Sequence, residues 1–341
     1  MVSISVLHSI VPITFRRRVI NSIIFAISLY VIGSVVSAVF LAEITLHVNH
    51  RPIQHRSEIE RVALQEFHAP LLDVHIVASD GADLKAWYIQ PKVSNGASVI
   101  LFHGVSDNRE GVAGYGRMFL HNGYSVLLPD SSAHGESGGD IATYGIKERQ
   151  DVHLWADWLR QRAPGCVYLF GESMGAAIAL QASAVTQQLC AVAVESPYST
   201  FREVVDDRFS RHSGLGLWFA RTIARPTLEF ALIYSRARYH VDLTESAPAS
   251  AIAHSRVPTL LIHGTADRNI PLRHSVALMQ AGSTHSELWV VQGADHGGAV
   301  NINRTDFERR ILDWFHSHGK PVENHMKEAI NPENGPFVHI F

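Results

Sequence analysis

The sequence predicts an α/β fold, a mostly parallel, doubly wound sheet entered through an N-terminal antiparallel hairpin. Three observations predict it. Short continuous apolar runs recur at residues 98–102, 124–128, 167–170, 191–194, 259–262 and 288–291. Helical patterns separate them at 114–121, 146–162, 175–185, 273–280 and 306–316. Ahead of them, alternating runs at 73–79 and 84–90 flank the turn pair Asp80-Gly81, the mark of a hairpin. Strands apolar on both sides that alternate with helices need cover on both faces, which a parallel sheet between helical layers supplies.

The elements follow in chain order. Residues 1–18 form a basic N-terminal segment ending in Arg16-Arg17-Arg18. From Val19 to Ala42 no residue is charged, a run long enough for the ~20 apolar residues that a membrane helix needs. It reads as a single-pass anchor with the rest of the chain outside the cytoplasm, because clustered arginines favour the cytoplasmic side. A signal peptide cut after Val36-Ser37-Ala38 and a buried helix are the alternatives. Residues 43–70 read as a helical linker and 71–318 as the α/β domain. One interval, from Glu195 to Val257, is too long for a single crossover. Its helical patterns at 201–209, 215–223 and 228–237 predict a helical cap at about 200–250. Residues 319–341 carry Pro321, Pro332 and Pro336 and read as a C-terminal tail.

Composition narrows the partners. Net charge is −3 over 341 residues, with no basic stripe interleaved with aromatics, so nucleic acid is not expected. The two cysteines, Cys166 and Cys190, form no C-x-x-C metal or redox motif. They read as two buried thiols, although both precede parallel strands and a pair is conceivable.

The chemistry is carried by Gly171-Glu172-Ser173-Met174-Gly175, set between an apolar run and an Ala-rich helix. A serine on such a strand-to-helix turn stands exposed above the sheet. A second G-x-S-x-G, Gly135-Glu136-Ser137-Gly138-Gly139, follows no strand directly and opens no helix, so Ser137 reads as a loop residue. A serine needs a base, and the base an orienting acid. The expected order is serine, acid, histidine, each after a strand. Asp267 follows the run at 259–262 and His296 the run at 288–291. Asp295 is the competing acid, but chain neighbours rarely face each other. The oxyanion hole needs two amides. Met174 follows the nucleophile, and Val105 follows His103-Gly104 after an early strand. His103 itself reads as structural.

These residues together resemble the α/β-hydrolase superfamily over roughly 72–318. The carriers are His103-Gly104, Asp130 with His134-Gly135-Glu136-Ser137, Tyr144-Gly145 with Glu148 and Asp151, the Ser173 pentapeptide, His263-Gly264 with Asp267 and Ile270-Pro271, and His296. The pattern is similar to the serine aminopeptidase and monoacylglycerol-lipase-like branch, and to its membrane-anchored members. Where relatives often carry Arg-Gly before the His-Gly, this chain has Ser132-Ala133, read as shaping the pocket rim.

The expected reaction is ester cleavage by acyl transfer through Ser173, His296 and Asp267 on a small-molecule or lipid acyl substrate, with no metal or cofactor. Peptidase and thioesterase are the alternatives with the same triad, and a non-catalytic binding protein is the alternative of another class. Trp218, Phe219, Leu228, Phe230, Ile233 and Tyr234 are candidates either for an acyl pocket or for the cap's own core.

Overall fold

The computed structural model describes residues 13–163, 165–282 and 284–319. The first twelve residues of the basic segment and the tail from 320 onward lie outside them. The chain opens with α1 (Ile13–Leu46) and α2 (Arg56–Phe67), then the hairpin β1 (Leu72–Val77) and β2 (Asp83–Ile89). The core follows as β3 (Ser98–Phe102), α3 (Ala113–His121), β4 (Ser125–Pro129), α4 (Glu148–Arg160), β5 (Val167–Glu172), α5 (Met174–Ser183) and β6 (Leu189–Glu195). The cap helices α6 (Phe201–Ser213), α7 (Gly216–Arg221) and α8 (Arg225–Tyr239) interrupt it. The chain returns through α9 (Pro248–His254), β7 (Thr259–Gly264), α10 (Arg273–Ala281), β8 (Ser286–Val291), α11 (Ala299–Ile302) and α12 (Arg304–Ser317).

Among the described residues, eight strands form one sheet in the order β1-β2-β4-β3-β5-β6-β7-β8. The pairs β1–β2 and β2–β4 are antiparallel and the others parallel. The strand period of two explains the double cover. Val167 and Leu169 of β5 enter one apolar layer with Ile100, Leu127 and Trp155, while Tyr168 and Phe170 enter the opposite layer with Phe119, Phe307 and Phe315. On α4 the buried residues Val152, Trp155, Ala156 and Leu159 recur at the helical spacing that makes one apolar stripe.

Two expectations change. The N-terminal helix is longer than the 19–42 span and takes in the arginines at one end and the start of the linker at the other. It is long and apolar enough to cross a bilayer, yet its last turns are not free. Ala38, Ala42 and Leu46 are buried, the first two against Ala231 of α8 and the third in the main core. The cysteines are not thiols. Parallel pairing of β5 with β6 sets Val167 opposite Leu189, which brings Cys166 and Cys190 side by side at the strand starts. They form a disulfide with Cα atoms 5.7 Å apart.

Candidate active site

Ser173 sits at the junction of β5 and α5 with φ 56° and ψ −113°. A non-glycine residue in that region costs about 1–3 kcal/mol and persists only where surroundings hold it. Here the Ser173 amide donates to the Glu195 carbonyl at 3.0 Å and the Ser173 carbonyl accepts from Ala177 at 3.2 Å. The flanking glycines are required by packing. A Cβ on Gly171 would meet the Gly175 carbonyl, and one on Gly175 would meet the carbonyls of Phe102 and His103. The pentapeptide thus lets α5 press against the sheet end while Ser173 is held outward.

The structure brings the three expected residues together. Ser173 Oγ lies 2.9 Å from His296 Nε2, and His296 Nδ1 lies 2.8 Å from Asp267 Oδ2. Asp267 Oδ1 accepts from the amides of Asn269 and Ile270, both at 2.9 Å. Burial opposes the Asp267 charge, but the hydrogen bond and field of His296 and the Ile270 amide hold its carboxyl below the usual range. Asp295 is exposed and plays no part in this chain of contacts.

Ser137 is a different kind of serine. It is buried, accepts from the Lys85 amide at 2.9 Å and donates to the Asp130 carbonyl at 2.8 Å. His103 is likewise structural. Its Nδ1 faces the Gly104 carbonyl at 2.8 Å and its Nε2 accepts from the Ser131 amide at 3.0 Å, an arrangement that needs the neutral ring favoured by its complete burial.

The cavity over Ser173 has a volume of about 490 Å³. Val105 and Met174 line it, and a Cβ on Gly104 would sit 3.7 Å from that of Ser173. The remaining walls lie outside the six candidate cap residues. They come from Phe201, Val204, Val205 and Phe209 of α6 and from Leu41, Ile44 and Thr45 of α1. None of Trp218, Phe219, Leu228, Phe230, Ile233 and Tyr234 lines it: Leu228 packs into the core, Phe230 and Tyr234 pack against α1, and Trp218 and Ile233 are exposed. The Ser132-Ala133 loop does not reach the cavity either. Both residues are buried, and Ala133 holds φ 60°, a conformation that favours glycine.

A buried acidic cluster lies behind the histidine and was not anticipated. Tyr115 Oη lies 3.2 Å from Glu195 and 3.5 Å from Glu172, and Glu195 Oε1 accepts from the Ala299 amide at 2.8 Å. Burial raises both carboxyls, and with the neighbouring Glu172 charge it pushes Glu195 up to about 7. The Glu195–Ala299 bond ties down the loop that carries His296. Glu172 was visible only as the variable residue of the pentapeptide, and Glu195 only as the last residue of an apolar strand. Among the described residues, no group of three His, Cys, Asp or Glu side chains is placed to hold a metal.

The fold and site are those of a hydrolase. Residues 99–309 match the Alpha/beta hydrolase family, and the chain belongs to it. Among curated relatives, it is 25% identical to the uncharacterised protein YqkD of Bacillus subtilis, over 73% of this chain and 80% of the relative. It is 23% identical to the uncharacterised protein YfhR of Escherichia coli strain K12, over 81% and 91%. Among solved structures, an esterase of Pyrococcus furiosus aligns with TM-score 0.62 and 22% identity, covering 80% of this chain and 98% of that one. An acylaminoacyl peptidase of Pyrococcus horikoshii aligns with TM-score 0.55 and 17% identity, covering 75% and 43%. These structural likenesses define the fold.

Proposed function

We propose that this hydrolase is a membrane-anchored serine esterase working by two-step acyl transfer. The single observation that carries the reading is the continuous hydrogen-bonded chain Ser173–His296–Asp267 opening onto a largely apolar cavity. His296 takes the hydroxyl proton as Ser173 attacks the ester carbonyl. Asp267 holds the ring and stabilises the imidazolium. The amides of Val105 and Met174 bind the oxyanion. His296 returns the proton to the leaving alcohol, and water then releases the acyl group by the same steps in reverse. The apolar walls suit an apolar acyl group.

Anchoring is supported by the helix itself. It runs unbroken through Ala38, where a signal peptidase would cut, and Ala38 is buried against the cap. The disulfide suits an oxidising compartment, in keeping with Arg16–Arg18 in the cytoplasm and the hydrolase domain outside.

The test pairs a fluorophosphonate probe with a p-nitrophenyl ester series. The wild type is expected to be labelled at Ser173 and to turn over, and Ser173→Ala to do neither. Turnover retained by Ser173→Ala overturns the mechanism. Faster cleavage of matched amides or thioesters than of esters replaces the esterase reading with one of its alternatives.

A further inference from the structure

The cap carries large apolar side chains that face outward. Trp218 is 72% exposed, Leu215 57% and Ile223 44%. Trp218 lies on α7, and Leu215 and Ile223 lie on the connections at its two ends, at the cap's outer tip. This tip lies directly beside α1, because Tyr30 Oη donates to the Ile223 carbonyl. From there α1 and α8 run alongside each other, through the contact of Ala38 and Ala42 with Ala231, to Glu43, which accepts from Tyr234 and Tyr239 at 2.6 and 2.7 Å.

That packing fixes the depth of the tip. A hydrocarbon core of ~30 Å takes up ~20 helical residues. Starting at Val19, the core ends no earlier than about Ala38. Tyr30 lies eight residues short of that point, or ~12 Å along the helix axis. A cap hydrogen-bonded at Tyr30 therefore cannot stand clear of a bilayer that α1 crosses. This depth is close to the ~5–10 Å at which interfacial helices seat.

The charges agree. Residues 201–240 hold seven arginines against four carboxylates, on a chain whose net charge is −3. Arg221 and Arg225, nearest the tip, are paired with Glu203, Asp206 and Glu229, and Arg211 is exposed. Such a surface suits anionic headgroups. The cavity points the same way. Its lining runs from Ser173 along α6 to Phe209 and His212, three residues before Leu215.

We propose that the cap tip formed by Leu215, Trp218 and Ile223 is seated in the bilayer beside α1, and that the cavity is loaded from the membrane with a long-chain acyl ester. The second half rests on the esterase reading, and the first on the anchor reading alone.

The test uses the full chain in vesicles of phosphatidylcholine with phosphatidylglycerol. Brominated lipids should quench a tryptophan component present in the wild type and missing from Trp218→Phe. The double variant Leu215→Ser, Trp218→Ser should lose several-fold in hydrolysis of p-nitrophenyl palmitate held in the vesicles. Its hydrolysis of p-nitrophenyl acetate in water should match the wild type. Equal quenching in wild type and Trp218→Phe overturns the seating, as does a tip shielded by a cross-linked second copy. Undiminished palmitate hydrolysis by the double variant overturns loading from the membrane. If the wild type cleaves neither ester, or Ser173→Ala cleaves both, the esterase reading fails, while the quenching still decides where the tip sits.

Discussion

Tyr144 Oη donates to the Thr45 carbonyl at 2.7 Å, joining the hydrolase core to the last turn of the N-terminal helix. Tyr144 is held there from several sides. Its carbonyl accepts from Gln181 at 2.9 Å, Tyr198 at 3.1 Å and Ser246 at 2.8 Å. Its loop is fixed by Glu148, whose carboxylate accepts from the amides of Thr143 at 2.7 Å and Gly145 at 2.8 Å. The Tyr-Gly ahead of a long helix is thus a joint between α1, the cap and α5.

Breaking that joint should loosen the cavity wall formed by Ile44 and Thr45. Tyr144→Phe keeps the ring against Phe201 and removes only the donor. The expected loss is about 1 kcal/mol of stability, with a larger fall in kcat/KM for long acyl chains than for acetate. Thermal melts and a chain-length series check both. Equal losses at every chain length would mean that α1 is no part of the acyl wall.

Ser137 should behave as scaffold. Ser137→Ala leaves the Lys85 amide without its acceptor in a buried loop, at a cost of about 1–3 kcal/mol. Fluorophosphonate labelling at Ser173 should persist in the folded fraction. A denaturant titration of this variant, with labelling measured alongside, separates the two G-x-S-x-G serines.

Much of this was legible in the sequence because the signals are local. An apolar run that ends in a glycine turn identifies the strand end where Ser173, Asp267 or His296 must sit. Strand neighbours are not local. Cys166 and Cys190 are 24 residues apart, and nothing short of the β5–β6 pairing says that they meet. The role of α1 was hidden for another reason. Lipid and protein both cover apolar side chains, so Leu41 read as membrane span and Ile44 as linker while both wall the cavity. The cap residues stayed open between pocket and core, since helical spacing does not say which face of α7 or α8 turns toward Ser173.

The disulfide closes a loop that joins two central strands. Removing it should cost about 2–4 kcal/mol. Cys190→Ala and reduction of the wild type should lower the melting temperature by similar amounts, with Ser173 labelling retained below the transition. An unchanged melt on reduction would mean that the pair is not bonded in the purified protein.

Asp151 should make the protein less stable as pH rises. Burial, followed by the charges of Glu148 and Asp80, pushes its carboxyl up to about 8, with Lys147 opposing. Its pKa is ~4 in the unfolded chain. Between those values the folded state holds a proton that the unfolded state has released. Stability is therefore full below pH ~4 and is lost as pH rises toward 8, by about 1.4 kcal/mol per unit. Asp151→Asn removes this slope. Its stability relative to wild type should climb across the window and level off above it, in urea titrations at stepped pH. A flat difference would show that the acid is ionised throughout.

Arg208 gives the cavity a charge. Its side chain lines the same space as Ser173, and among the described residues its guanidinium has no carboxylate partner. A guanidinium stays protonated throughout the working range, so an anionic group on the acyl ester gains a charge-assisted hydrogen bond there, while a neutral chain leaves the guanidinium to water at the cavity mouth. Such a bond contributes about 1.5–3 kcal/mol, or roughly ten-fold and upward in kcat/KM. The expected result is a preference of the wild type for p-nitrophenyl esters ending in a carboxylate over methyl-capped esters of equal length. Arg208→Gln should collapse that ratio toward one, through KM more than kcat, and Arg208→Lys should restore part of it. A ratio near one in the wild type would show that Arg208 meets water at the cavity mouth instead of the substrate.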